Sequence, residues 1–223
     1  MEIKPIAYFK SPFPSKFGVP RQAGLAGGLR GYVVFEPEYR SKDALRGLEG
    51  FDYIWLIWEF SANEESGPEA GFRPTVRPPR LGGNERVGVF ASRSPFRPNR
   101  LGLSSVRILS IDPERAVIEV AGADLMDGTP IYDIKPYVTY ADSHPDARSG
   151  FVDEEEWKPL DVVLAPGVEE SGADLSVIKE VLALDPRPGY HDDPAKVYGM
   201  SFGGYDVRFT VNGNTLIITE VRC

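Results

Sequence analysis

Cysteine is almost missing from this chain. The only one is the final residue, Cys223, which leaves no basis for a disulfide framework or a cysteine metal site. Histidine is scarce too. His144 and His191 are the only two, both in polar stretches, so a Ser-His-Asp triad is poorly supported and a Cys–His pair is excluded. No H-E-x-x-H pair, Walker A loop or dinucleotide glycine fingerprint occurs, and we expect no nucleophile elbow. Long apolar runs are lacking as well. The most apolar one, Tyr53 to Phe60, is strand-sized and far short of a membrane span. The opening MEIKPIAYFKSPFPSK lacks the uninterrupted apolar segment of a signal peptide. A cytoplasmic protein without membrane association is therefore expected.

What is present favours strands. A hydrophobic fraction of 42% is enough for a real core. Glycine (23) and proline (20) fill about a fifth of the 223 residues, beside 12 Phe, 10 Tyr and 3 Trp, a balance that suits strands and turns over helices. Strands are predicted from Ile3 to Phe9 and from Gly31 to Glu36, then a short helix capped by Ser41 and running through Leu48. FDYIWLIWEF, residues 51–60, is apolar almost without alternation and reads as a strand buried on both faces. Trp55 and Trp58 would lie on its opposite faces, as core residues. Leu103 to Ile111 and Arg115 to Ala121 form a predicted hairpin around Asp112-Pro113-Glu114.

From Asp142 the composition turns polar and acidic, and Asp153 to Glu156 are four acids in a row. This marks a boundary. We expect a domain over residues 1–145, an acidic linker over 146–172, and a small α+β unit over 173–223. That last unit holds a helix from Leu175 to Leu184 and a hairpin turning on Asn212-Gly213-Asn214.

One stretch stands apart by charge. Residues 73–107 hold eight arginines, no lysine and one acid, Glu85, a local +7 within a chain of net −8. Such asymmetry points to a polyanionic partner. Arginine's planar fork suits phosphate, carboxylate and base edges. The glycines and prolines of the stretch exclude a basic helix, so these arginines must sit on shaped loops.

A second stretch, residues 122–143, brings Asp124, Asp127 and Asp133 together around the turn Asp127-Gly128-Thr129-Pro130. Side-chain capping of a turn explains these acids as well as ligand binding does. They are not at calcium-loop spacing, and neither histidine joins them, so no metal is expected. A binding site for an anionic, nucleic-acid-like ligand fits the whole better than hydrolysis, with chemistry that depends on positioning.

Three blocks carry a resemblance. Phe17-Gly18-Val19-Pro20-Arg21-Gln22, then VRPPRLGGNERVGVFASRSPFRPN followed by Leu101-Gly102-Leu103-Ser104, and DLMDGTPIYDIKPY are similar to the TrmO (YaeB) family of tRNA adenosine N6-methyltransferases. The tail segments Asp185-Pro186-Arg187-Pro188-Gly189-Tyr190 and Asp206-Val207-Arg208-Phe209 extend the resemblance over nearly the whole chain. It implies a mainly β protein: an N-terminal β-barrel domain that binds S-adenosylmethionine, with a small α+β C-terminal domain, working as a homodimer with the cofactor near the subunit interface. It also implies methylation of N6 of threonylcarbamoyladenosine beside the anticodon.

By motif, the resemblance places Pro20, Arg21, Gln22, Ser61, Arg93, Leu103, Asp124, Leu125, Asp127, Gly128, Thr129 and Pro130 at the cofactor. Many relatives carry histidine where this chain has Ser61, so a role belonging to that histidine does not transfer. Asp127 and Asp133 are the acids available to take a proton from N6, with Tyr137 as an orienting group; a purely shaping role for all three competes with this. Arg73, Arg77, Arg80, Arg97, Arg100 and Lys135 are expected to meet the tRNA anticodon stem-loop, some of the arginines serving structure instead. A non-catalytic S-adenosylmethionine- or RNA-binding module on the same scaffold stays open at this point.

Overall fold

The computed structural model describes residues 2–62, 73–78, 85–153, 158–188 and 193–223. Six antiparallel strands close into a barrel. They are β1 (Ala7–Lys10), β2 (Arg30–Phe35), β3 (Tyr53–Glu59), β6 (Leu101–Asp112), β7 (Val117–Ala121) and β8 (Pro130–Pro136), in the order β1-β2-β7-β6-β3-β8. Between β3 and β6 the chain makes a two-stranded ribbon, β4 (Thr75–Val76) with β5 (Val87–Gly88).

The barrel interior is narrow and filled by side chains. Ile54, Leu56 and Trp58 of β3 alternate inward and meet Phe9, Val33, Val106, Ile118 and Ile131. The other phase of β3, with Trp55 and Ile57, is only half-buried and Tyr53 is exposed. The expectation of a strand buried on both faces is thus corrected: the apolar outer phase is covered in part, Trp55 by the Tyr137 ring at 5.7 Å. Two inward positions are glycine because rings occupy the space. A Cβ at Gly102 would lie 2.3 Å from the Trp58 indole, and one at Gly31 2.3 Å from the Phe9 ring.

Local endings follow turn chemistry. The helix begun at Ser41 is one turn, α1 (Lys42–Leu45), because Gly47 adopts φ +87; a 3₁₀ turn, Leu48–Gly50, replaces its expected end. Ser41 makes no side-chain cap bond. In the β6–β7 hairpin Asp112 Oδ1 accepts from the Glu114 and Arg115 N–H groups, each at 3.0 Å. Strand β5 is only two residues long, since Val89–Ala91 turns as a 3₁₀ helix.

After a single turn, α2 (Thr139–Asp142), the chain enters a second layer. A four-stranded sheet, in the order β10-β11-β12-β9, is built from β9 (Asp161–Leu164), β10 (Tyr198–Phe202), β11 (Tyr205–Asn212) and β12 (Thr215–Arg222). Helix α3 (Leu175–Leu182) packs Ile178, Val181 and Leu182 into its core, and Asp174 caps it by accepting from Val177 N–H. Strand β9 comes from within the stretch 146–172 and pairs parallel to β12. The sequence also holds one G-x-S-x-G spacing, Gly199 to Gly203. Its Ser201 lies within antiparallel β10, opposite Asp206, and not on a strand-to-helix turn.

The two layers share a core. Phe13, Ala26 and Leu29, which precede β2, pack with the C-terminal residues Met200, Phe202 and Phe209. Phe13 meets Phe202 edge-on at 5.2 Å, and Gly203 N–H donates to the Pro12 carbonyl at 2.8 Å.

Candidate functional site

At one end of the barrel, residues from three separate stretches converge. Ser104 occupies an inward position of β6 among apolar neighbours. There it accepts the Trp58 indole N–H at 2.9 Å and donates its hydroxyl to Asp124 Oδ1 at 2.5 Å. The Arg93 guanidinium donates to Gln22 Oε1 and lends its positive charge to Asp124. Burial pushes the Asp124 carboxyl above the ordinary aspartate value. The Ser104 hydroxyl, nearby backbone N–H groups and the Arg93 charge pull it part of the way back. A carboxylate held this way, flanked by a guanidinium and an amide, is preorganised to receive a polar, charged ligand.

The loop carrying Gln22 is docked on the barrel through two glycines. Gly24 N–H donates to Gly122 O and Gly122 N–H to Leu29 O, each at 2.8 Å. Gly122 has φ +74, and a Cβ on it would come within 3.3 Å of Gly24 Cα. A side chain there would push the loop away from Asp124, two residues on.

The rest of the turn faces elsewhere. Asp127 accepts from Ser11 N–H at 3.1 Å and lies 3.6 Å from Lys10 Nζ, on a cleft of about 490 Å³ between β1, β2 and α3. Leu125 sits in the barrel core, Thr129 is buried with its hydroxyl donating to Met126 O, and Pro130 is buried at the start of β8. Gly128 N–H donates to Phe9 O, closing the turn onto β1. These residues build the turn that presents Asp124.

On the outer barrel face, Ile57 pairs with Leu103 on one side and Asp133 on the other. Leu103 is 56% exposed. Asp133 is 3.1 Å from Lys135 Nζ. Tyr137 packs against Trp55 and Tyr53. A further cluster was not foreseen: the Tyr132 hydroxyl donates to Glu59 Oε2, and Arg100 pairs with Glu59 Oε1 at 2.8 Å. Burial first, then the Glu59 carboxylate, drives the Tyr132 phenol up to about 12.

Comparison with known proteins shows the family of the chain. A family model for the tRNA-methyltransferase O N-terminal domain matches residues 8–143, and one for the TrmO C-terminal domain matches residues 164–223. The chain belongs to the TrmO family. It is 38% identical over 222 residues to the tRNA (adenine(37)-N6)-methyltransferase of Escherichia coli K12, covering 94% of this chain and 93% of that one. It is 40% identical over 219 residues to the putative S-adenosylmethionine-dependent methyltransferase RcsF of Pseudomonas aeruginosa, covering 93% and 91%. The crystal structure of TrmO from P. aeruginosa superposes with a TM-score of 0.80 at 29% identity, over 100% of this chain and 99% of that one.

Among TrmO features, the arginine loops divide by their contacts. Arg97 donates to the Val89 and Ser92 carbonyls at 3.2 and 2.6 Å, and Arg100 is held by Glu59. Arg73 lies over the Phe96 ring at 5.3 Å, and Arg77 is exposed. Arg80 lies outside the described residues. Pro20 is buried, Arg21 turns to the C-terminal layer, and Ser61 is exposed just past β3. Among the described residues, no three His, Cys, Asp or Glu side chains converge as metal ligands, and no helix is long and apolar enough to cross a membrane.

Reading along the chain singled out Gln22, Arg93 and Asp124 and took Trp58 as a core residue, but gave no role to Ser104, Glu59 or Tyr132. A signal for Ser104 exists: it is the polar residue on the inward phase of LGLSSV, between Gly102 and Val106.

Proposed function

We propose that this protein is an S-adenosylmethionine-dependent tRNA methyltransferase of the cytoplasm. In this reading it methylates N6 of threonylcarbamoyladenosine beside the anticodon and acts as a homodimer. The observation that carries it is the convergence of Gln22, Arg93 and Asp124 in a chain that matches both TrmO domains. The donor set suits the cofactor. A carboxylate can accept from an ammonium or ribose hydroxyls, and a guanidinium and an amide can hold a carboxylate. When bound, S-adenosylmethionine supplies a methyl group on a cationic sulfur. The non-catalytic module is not favoured, because relatives over nearly the full length are named as methyltransferases.

The chain's own residues divide the remaining work. Asp124, fixed by Ser104, holds the cofactor's polar end, with Gln22 and Arg93 beside it. The outer face around Ile57 receives the base. There Asp133 would take the N6 proton as the N6–methyl bond forms and the sulfur–methyl bond breaks, leaving a neutral thioether, and Tyr137 would orient the base against Trp55. Asp127, bound to Ser11 and Lys10, shapes the turn. Exposed Tyr53 and Tyr140 offer stacking surfaces for unstacked anticodon-loop bases. Arg73, Arg77 and Lys135 supply phosphate contacts. A second subunit over Leu101 and Leu103 would bury apolar side chains that now face solvent.

The test is methyl transfer from labelled S-adenosylmethionine to tRNA taken from cells with and without the threonylcarbamoyl group. Incorporation only into modified tRNA is expected. Transfer that ignores the modification would overturn the substrate assignment, and cofactor binding without any transfer would overturn the enzyme assignment.

A further inference from the structure

The cofactor cluster lies on the barrel, yet the loop that delivers Gln22 is gripped from the other layer. Glu180, on α3, accepts from Gly27 N–H through Oε1 at 2.6 Å and from Gly28 N–H through Oε2 at 2.9 Å. One carboxylate thus bridges two consecutive backbone amides, and both bonds are charge-assisted. Gly28 admits it: a Cβ there would stand 2.6 Å from Oε2.

Two further grips act on the same loop. The Arg21 guanidinium donates to the carbonyls of Asp185 and Arg187 at 3.3 and 3.2 Å, beside the Asp185–Arg187 ion pair. Gly18 lies so close to Met200 that a Cβ would be 2.3 Å from its sulfur. Gln22 therefore sits between an anchor at Arg21 on the C-terminal layer and an anchor at Gly24 on the barrel. The Glu180 bridge fixes the stretch that leads back to β2.

We propose that Glu180 is a positioning residue for the cofactor: by clamping Gly27 and Gly28 it holds the Gln22 loop against Arg93 and Asp124, so the C-terminal domain sets cofactor affinity. This rests on the assignment of Gln22, Arg93 and Asp124 to S-adenosylmethionine. The clamp acts on ground-state binding and leaves the transfer step to the barrel. Its loss raises the KM for cofactor and spares kcat.

The experiment uses the full-length protein and modified tRNA, with S-adenosylhomocysteine binding by calorimetry as the readout independent of turnover. Glu180→Ala is expected to weaken that binding about tenfold, the scale of one lost charge-assisted contact. The KM for S-adenosylmethionine should rise in parallel, while kcat at saturating cofactor and the KM for tRNA stay within about twofold. Glu180→Gln keeps the shape and one good acceptor and should fall between. Gly28→Ala displaces the carboxylate from the loop side and leaves the residues of α3 unchanged, its methyl also meeting Val177 Cγ2 at 3.4 Å, so it carries the test if Glu180→Ala fails to fold. The double variant should be no worse than either single one. Unchanged binding in Glu180→Ala and Gly28→Ala, or losses spread equally over kcat and both KM values, would overturn the proposal. Gln22→Ala separates the two levels. If it weakens binding while the Glu180 and Gly28 variants do not, only the clamp fails. If Gln22→Ala leaves binding unchanged, the cofactor assignment falls and the clamp with it.

Discussion

The Trp58 indole N–H and the Ser104 hydroxyl meet at 2.9 Å inside the barrel wall, and their contact continues to Asp124. A core aromatic residue thereby fixes the orientation of a hydroxyl that fixes a carboxylate. Ser104→Ala removes both links. It leaves a buried N–H unpaired, at a cost of ~1–3 kcal/mol in stability. Denaturant unfolding should show the loss, and cofactor binding should weaken beyond what the stability change explains.

Asp124→Asn should uncouple stability from activity. The unfolded carboxyl releases its proton near 3.8, while the folded one holds it to higher pH because burial disfavours the charge. The stability associated with this group is complete below 3.8 and is lost as pH rises through the folded value. The asparagine variant lacks that decline. Its melting temperature at neutral pH should match or exceed that of the parent, its stability should vary less across the mildly acidic range, and its cofactor affinity should fall.

Tyr132 gives a signal at the alkaline end. Its phenol is raised from 10.0 to about 12 by burial and the Glu59 carboxylate. Its stability contribution is present below pH 10 and disappears as pH rises through about 12. A near-ultraviolet titration of the parent minus Tyr132→Phe should show no ionisation of this residue until that window. Ionisation near 10 in the folded protein would contradict the Tyr132–Glu59 contact.

Arg77 and Arg97 should behave oppositely. Arg77→Ala is expected to reduce the slope of log K against log salt for tRNA binding by about 1. Arg97→Ala should leave that slope alone. It should instead lower stability by about 1 kcal/mol through loss of its bonds to Val89 and Ser92. A filter-binding salt series on both variants decides this.

Much of this arrangement was legible along the chain, and the exceptions have physical causes. Trp58 and Ser104 are 46 positions apart, and only barrel closure sets them side by side. Strand β9 was hidden because it pairs parallel to β12 across a long connection, a partnership no local pattern encodes. The hairpins at Asp112 and Asn212 were readable because their turns are made by adjacent residues. The arginine stretch announced its charge, but Arg97 and Arg100 satisfy carbonyls and Glu59, partners that only the folded chain brings near. Nothing local marks Glu180, whose partners Gly27 and Gly28 lie 153 and 152 positions away.

The shared core of Phe13, Ala26 and Leu29 with Met200, Phe202 and Phe209 has a consequence during synthesis. All six barrel strands are available once residue 136 has emerged from the ribosome. Phe13, Ala26 and Leu29 must then wait for partners that lie some sixty or more residues downstream, which at roughly 5–20 residues per second takes seconds. The nascent chain therefore carries a barrel whose Gln22 loop has its Gly24–Gly122 anchor but lacks its grips from the C-terminal layer, and a truncated or stalled product should bind S-adenosylmethionine more weakly than the finished protein.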